Sequence, residues 1–282
     1  MSARVTVYQI PAHKRSMLIG AAMAQGIHRV GDNVRVMPST SFKSPDSDIA
    51  VFYGFDETLR AVFKGYRDAG RPVVYVDLGY WGRKDLGRWT GYHKVSVNGR
   101  HPTSYFQNRS HDGSRAAKFG IKFSEWTTGS HILVAGTSDK GAVVDGFAPE
   151  EWERWAVAEL RRHTDRPIIY RAKPSWLGAS PIPGSMFQQT RDDVRKMLVG
   201  CHAVVTHHSN VSIDGLIAGV PAFCMEGLAS PLALSDLSKI EEPRRHGDRE
   251  QLVNDIAWCQ FDVQEMTEGV AWRHLKSEGL LP

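Results

Sequence analysis

Ser209, Asn210, Asp214 and the turn Gly219-Val220-Pro221 lie close together in HAVVTHHSNVSIDGLIAGVPAFC, the stretch from His202 to Cys224. The apolar run 203–205 predicts a strand, 206–210 a polar turn, 211–218 a helix, and the Gly-Val-Pro turn leads into a second apolar run. Ser and Asn are favoured N-cap types, so the turn places backbone N–H groups and the positive end of a helix at the carboxyl end of a strand. That arrangement suits a phosphate. Asp214, near the helix start, is placed to accept hydrogen bonds from ribose hydroxyls, and His207, His208, Ser209 and Asn210 line the same turn.

This spacing, from Ser209-Asn210 through Asp214 to Gly219-Val220-Pro221, resembles the carboxyl-terminal half-motif of GT-B glycosyltransferases. In that family the acidic residue is usually Glu and binds the nucleotide ribose. Asp214 is one methylene shorter. The alternative is an ordinary βαβ unit whose Gly and Pro turn the chain. The resemblance implies a nucleotide-sugar donor, with a UDP-sugar the first candidate and no metal required. It also implies a fold of two Rossmann-like, doubly wound α/β domains facing a cleft.

Elements that could position such a site recur along the chain. Strands are expected at 5–10, 32–37, 48–53 and 72–76, with helices at 15–28 and 56–68 between them, the alternation of a doubly wound sheet. The fourth strand is nearly all β-branched or aromatic, as in a buried parallel sheet. It runs into Asp77, where ligands of open α/β sheets collect. The stretch through Val76-Asp77-Leu78-Gly79-Tyr80-Trp81-Gly82-Arg83 is loosely similar to capsule-type Kdo transferases of the GT-B superfold, which implies a catalytic carboxylate at Asp77. A simple turn cap is the alternative. His13, at the end of the first strand, is the second catalytic candidate.

Residues 83–122 interrupt the alternation with nine Lys+Arg against two Asp+Glu and interleaved aromatics. Arg83, Lys84, Arg88, Trp89, Lys94, Arg100 and Tyr105 are candidate acceptor or DNA contacts, because cations neutralise phosphates and aromatics stack on bases. Val95-Ser96-Val97 followed by Asn98-Gly99 predicts a strand and tight turn. Residues 1–125 hold 19 Lys+Arg against 10 Asp+Glu, a charge of +9, and the remainder 16 against 21, a charge of −5. The positive field lies in the amino-terminal part. Inward-packed aromatics and a solvated basic face are the alternative.

The second half repeats the pattern. A linker is expected at 123–130 and a strand at 131–135. The loop Gly136-Thr137-Ser138-Asp139-Lys140-Gly141 follows, and Gly136, Thr137, Ser138 and Lys140 suit phosphate contacts. The Walker A order is absent, which argues against a kinase. An amphipathic helix at 149–162 turns Trp152, Trp155, Ala156 and Leu160 inward. The strand at 167–170 ends in Arg171-Ala172-Lys173, and in similar GT-B enzymes a basic residue there meets the donor diphosphate, which implies Arg171 and Lys173. Thr190 should cap a helix to 200, Ser230 could touch the donor phosphates, and helices are expected at 248–261 and 265–275.

Domains are therefore expected at 1–125, including the basic insertion 83–122, and at 126–262, with 263–282 crossing back to the first. Cys201, Cys224 and Cys259 lack metal-ligand spacing, and the neighbours His207 and His208 are expected to diverge. No apolar run approaches a membrane span, and MSARVTVYQI has no signal-peptide pattern, so a cytoplasmic protein without an obligate protein partner is expected. The basic chain ending in AWRHLKSEGL also resembles phage-encoded glycosyltransferases, which implies a hydroxymethylpyrimidine in DNA as acceptor, flipped out if the DNA is double-stranded. A surface glycan as acceptor and a non-catalytic nucleic-acid-binding protein on the same scaffold are the rival readings.

Overall fold

Strands β1 (Arg4–Gln9), β2 (Asn33–Pro38), β3 (Ile49–Tyr53) and β4 (Val73–Leu78) are parallel, with helices α1 (Lys14–Arg29) and α2 (Glu57–Asp68) between them. The computed structural model describes residues 2–83, 89–106, 110–144 and 146–282. Every residue of β3 is buried, as its apolar run requires. Asp56 caps α2 by accepting from the Leu59 N–H at 2.9 Å.

Strand β5 (His93–Val97) follows, antiparallel to β4. The Asn98-Gly99 pair does not open a hairpin. Asn98 takes φ +62°, accepts from the Val73 N–H on its side chain at 2.9 Å, and donates its own N–H to Val73 O at 2.8 Å. The turn thereby fastens the end of β5 to the start of β4.

The second unit holds α3 (Ser114–Ala117), β6 (His131–Ala135), α4 (Asp139–Val144), α5 (Glu151–Arg161), β7 (Ile168–Arg171), β8 (Met186–Gln188), α6 (Val194–Leu198), β9 (Cys201–Thr206), α7 (Val211–Ile217) and β10 (Ala222–Cys224). Its sheet runs β10-β9-β6-β7-β8, with every pairing parallel. Helix α8 (Arg249–Ala257) leads to β11 (Gln260–Phe261), α9 (Val263–Thr267) and α10 (Val270–Ser277). The first sheet, completed by β11, runs β11-β5-β4-β3-β1-β2.

Two compact units result, residues 1–102 with 256–282 and residues 103–255. The division at 102/103 splits the basic stretch: β5 joins the first sheet, and 103–122 belongs to the second unit. Drawn on these bounds the first unit carries 17 Lys+Arg against 12 Asp+Glu and the second 18 against 19, so the charge contrast shrinks to +5 and −1. The stretch expected as a linker is part of the second unit. Ser124 donates its N–H to Ile217 O and Thr127 to Gly219 O, each at 2.9 Å, and the Arg249 guanidinium lies 4.3 Å from the Trp126 ring centre.

Other expectations shift locally. Asp193, not Thr190, caps the short α6, accepting from the Arg195 N–H at 3.0 Å. The last expected helix is two helices, broken at Gly269 with φ +78°. Trp155 is 48% exposed, and the buried face of α5 carries Glu153 beside Trp152, Ala156, Val157 and Leu160.

In the first unit α9 and α10 pack on α1 at a glycine contact. A Cβ on Gly26 would strike Met266 O, so only glycine permits the approach. The Asp32 carboxylate accepts from the Ala3 N–H at 2.9 Å, Trp272 Nε1 at 2.7 Å and Lys276 Nζ at 2.6 Å. The terminal segment is thus tied to the first strands by a buried charge.

Candidate functional site

In the first unit the chain leaves β1 for β2 on one side and returns to β3 on the other, so the order reverses between β1 and β3. Ligands of open α/β sheets bind beyond the carboxyl ends of the strands at such a switch. His13 follows β1, Tyr53 ends β3, and Asp77 lies one residue from the end of β4, so all three reach this edge. The His13 and Tyr53 ring centres are 6.3 Å apart, and those of Tyr53 and His93 5.7 Å. Arg15 donates from Nη1 to the Tyr53 hydroxyl at 3.1 Å, and its guanidinium lies 5.2 Å from the Trp89 ring centre.

Asp77 is held on both oxygens. Tyr75 Oη donates to Oδ2 at 2.8 Å, the Leu78 N–H donates to Oδ1 at 2.8 Å, and Lys94 Nζ stands 3.9 Å from Oδ2. The carboxylate side chain is 35% exposed, which leaves it open to a reactant. Burial first, then the Asp77 charge and hydrogen bond, push the Tyr75 hydroxyl far above the usual tyrosine range. It remains a donor to Asp77 at every physiological pH.

His13 has a different duty. Its Nδ1 accepts from the Ser16 N–H at 3.1 Å and caps α1. An N–H can only donate, so the neutral ring carries its proton on Nε2. His13 can therefore donate to a ligand but, in this tautomer, cannot take its proton.

Among the described residues, two of the expected acceptor or DNA contacts are buried. Lys94 is 6% and Tyr105 3% exposed, with Tyr105 Oη within 2.7 Å of His111 Nε2. Trp89 is engaged by Arg15, the Arg83 Nε donates to Gly79 O, and the Arg100 carbonyl accepts from Lys94 Nζ at 2.7 Å. Lys84 and Arg88 lie outside the described residues. A strand's alternation turns every second side chain inward, and basic stretches in sequence do not reveal which.

In the second unit β6, β7 and β9 end together, with Ala135 opposite both Arg171 and Thr206. The loop after β6 is held from beneath. Glu153 Oε1, on a residue 1% exposed, accepts from the Thr137 N–H at 2.6 Å and Oγ1 at 2.9 Å. A Cβ on Gly136 would lie 2.9 Å from the Tyr170 ring and 3.3 Å from Glu153 Oε1. Ser138 Oγ accepts from the Gly141 N–H at 3.1 Å. The Lys140 side chain lies outside the described residues.

Arg171 ends β7 at this edge. Its Nη2 donates to Asp192 O at 2.9 Å, while its buried Nε has no hydrogen-bond partner among the described residues. Burial lowers its proton affinity, and Asp193, Asp192 and Asp214 oppose that loss through their charges. Arg171, expected at the donor diphosphate, and Asp214, expected at the ribose, are therefore within electrostatic reach of each other. Lys173 is exposed two residues on.

The turn after β9 folds back on itself. His207 and His208 converge, with Nδ1 atoms 3.0 Å apart, contrary to the expected divergence. His207 packs edge-on to Phe147 and Trp152. Asn210 makes no side-chain cap bond, and Ser209 Oγ accepts only a long 3.4 Å contact from the Val211 N–H. Ser230 lies in the next loop, which Gly227 packs onto His208 with φ +97°.

Gly219 closes α7 with φ +76°, and a Cβ there would strike Glu125 O. The Gly219→Ala variant is expected to lose about 2 kcal/mol of stability, from left-handed strain and the backbone clash together. A thermal melt at wild-type level would contradict this account of the turn.

Sequence reading missed Arg15, Tyr53, Tyr75 and Glu153. Only Glu153 left a signal, a carboxylate on the same helical stripe as Ala156, Val157 and Leu160.

Two α/β units, one with four parallel strands extended by antiparallel β5 and β11 and one with an all-parallel sheet, each with polar residues gathered at its strand ends, have the architecture of the GT-B class of fold. Two solved chains share it: the β-Kdo 2,4 transferase of Thermosulfurimonas dismutans KpsC, at 13% identity over 89% of both chains with a TM-score of 0.55, and the β-Kdo 2,7 transferase of the same KpsC, at 12% identity over 96% of this chain and 99% of that one, also with a TM-score of 0.55. No protein-family signature and no curated relative matches the sequence. Among the described residues no helix is long and apolar enough to cross a membrane.

Proposed function

We propose that this protein is a glycosyltransferase that moves a sugar from a nucleotide-sugar donor to an acceptor hydroxyl. The observation that carries the reading is Arg171. A cation with a buried, unpartnered Nε ends β7, within electrostatic reach of Asp214, on a fold of the GT-B class. In this reading the second unit binds the donor. Arg171 and Lys173, with Ser209, Asn210, Ser230 and the Gly136–Ser138 loop, hold the phosphates, and Asp214 holds the ribose. Fixed cations and backbone dipoles offset the charge of the leaving phosphate without a metal.

Asp77 is the general base. The acceptor oxygen bonds to the sugar's anomeric carbon, the bond to the donor phosphate breaks, and the acceptor proton passes to Asp77. His13 is the weaker candidate because its Nδ1 caps α1.

The acceptor we favour is a sugar hydroxyl on a glycan. Lys94 and Tyr105, two of the contacts meant for a nucleic acid, are buried, and the matching solved chains are named as transferases of the sugar Kdo. Hydroxymethylpyrimidine DNA is the second reading, supported by the +5 charge of the first unit.

A transfer assay tests this directly. The protein is incubated in chelator with a panel of nucleotide sugars, UDP-sugars first, and with glycan or hydroxymethylpyrimidine DNA acceptors, and the acceptor mass is read. Transfer to glycan is expected. Transfer to DNA alone would overturn the acceptor, and salt-sensitive DNA binding without transfer would overturn the enzyme. Asp214→Ala should weaken donor binding about tenfold, the equivalent of about 1.4 kcal/mol, as read by thermal shift with the nucleotide that binds the wild type.

A further inference from the structure

Lys94 is a buried ammonium that the mechanism above does not use. Strand β5 runs antiparallel to β4, which sets Lys94 directly opposite Asp77 and His93 opposite Leu78. Directly opposed residues share a face of the sheet. On its other side β5 pairs with β11, where Gln260 lies opposite Lys94, so the lysine is enclosed between two strands. Its Nζ donates to Arg100 O at 2.7 Å, stands 3.9 Å from Asp77 Oδ2 and lies 5.3 Å from the Tyr75 ring centre.

Enclosing an ammonium is costly, and an apolar residue would fill the same space more cheaply. The charge therefore calls for a reason. At 3.9 Å the contact with Asp77 is too long for a hydrogen bond and still close enough for a strong charge interaction.

We propose that Lys94 is the positioning residue of the Asp77 carboxylate: its charge, with the Tyr75 hydroxyl, fixes Oδ2 in place. The inference rests on the reading of Asp77 as the base. With Oδ2 held by Lys94 and Tyr75 and Oδ1 by the Leu78 N–H, orientation of the carboxylate toward a reactant is set by strand register. The charged and titratable groups around the pair are Tyr75 on β4, Tyr53 on β3, Tyr80, Arg83 and Arg100 on the flanking loops and Cys259 before β11.

Burial pulls the Lys94 ammonium down to about 8, against the opposing pull of Asp77. Lys94 is then largely charged at neutral pH and loses its charge in mildly alkaline solution.

The test follows the Asp77 side-chain carboxyl by 13C NMR across a pH titration of the intact protein, with the resonance assigned from D77N. In K94M the Asp77 carboxyl resonance at neutral pH should move from its wild-type position, and in K94R it should stay there. An unmoved resonance in K94M overturns the proposal. If K94M does not fold, the wild-type titration decides, because the Asp77 resonance should show a second step near pH 8 as Lys94 deprotonates, and a flat trace there overturns it. No substrate enters this readout. Full turnover in D77N alongside the Lys94 effect would sink the base, whereas an inactive D77N with no Lys94 effect would sink the lysine's role alone.

Discussion

Asp77→Asn is expected to lower turnover by about 10²- to 10⁴-fold, the usual contribution of a positioned general base, with donor affinity unchanged. The substitution keeps the size of the side chain and its carbonyl can still accept from Tyr75 Oη, which donates at 2.8 Å in the wild type. It removes the site that takes up the acceptor proton. Turnover and the nucleotide-induced thermal shift, measured on the same preparation, check the prediction. A loss of both would mean that the amide disturbs the fold of the strand end, and unchanged turnover would remove Asp77 from the chemistry.

The second large effect concerns the buried charge beneath the terminal helices. Asp32 is 3% exposed and accepts from Ala3, Trp272 and Lys276. Asp32→Ala strands the Trp272 indole N–H, on a side chain 1% exposed, and leaves the Lys276 ammonium without its partner. A destabilisation of about 3 to 4 kcal/mol is expected, the range for breaking a buried ion pair from one side. Burial opposes ionisation of Asp32, but hydrogen bonds from Lys276, Trp272 and Ala3 outweigh it and hold the carboxyl below its ordinary value. A carboxyl depressed on folding contributes stability above its unfolded pKa, and that contribution fades as pH falls through the folded value. The gap between wild type and variant should therefore be full at neutral pH and narrow below about pH 4. Denaturant melts at several pH values measure it, and a gap independent of pH would refute the charged network.

Much of the fold was legible because hydrophobic periodicity dominates it. Residues 49–53, 73–76, 168–170 and 203–205 are apolar runs within strands, and the helices between them have apolar stripes. The positions of Asp77 and Arg171 at strand ends followed from those runs alone. What stayed hidden depended on pairing partners far away in sequence. No local pattern says that Gln260 pairs with Lys94 across a strand formed from residues 93–97, so the basic stretch read as a surface. His13 looked reactive because its cap contact to Ser16 is a matter of backbone geometry. The expected boundary at 125 failed because β5 belongs to one sheet and residues 103–122 to the other unit, with no change of composition between them to mark the division.

The terminal segment has a consequence for biosynthesis. The first unit is completed by residues 256–282, so the ribosome must pass the entire second unit before β11 can pair with β5 or Trp272 can reach Asp32. Until then the outer edge of β5 is unprotected and able to pair with a neighbouring chain. The second unit, continuous in sequence, can close during translation, and the first must wait until residues 256–282 have been made. Nascent chains stalled before residue 256 should accordingly depend on chaperones, and a permuted gene that moves 256–282 ahead of residue 1 should relieve that dependence.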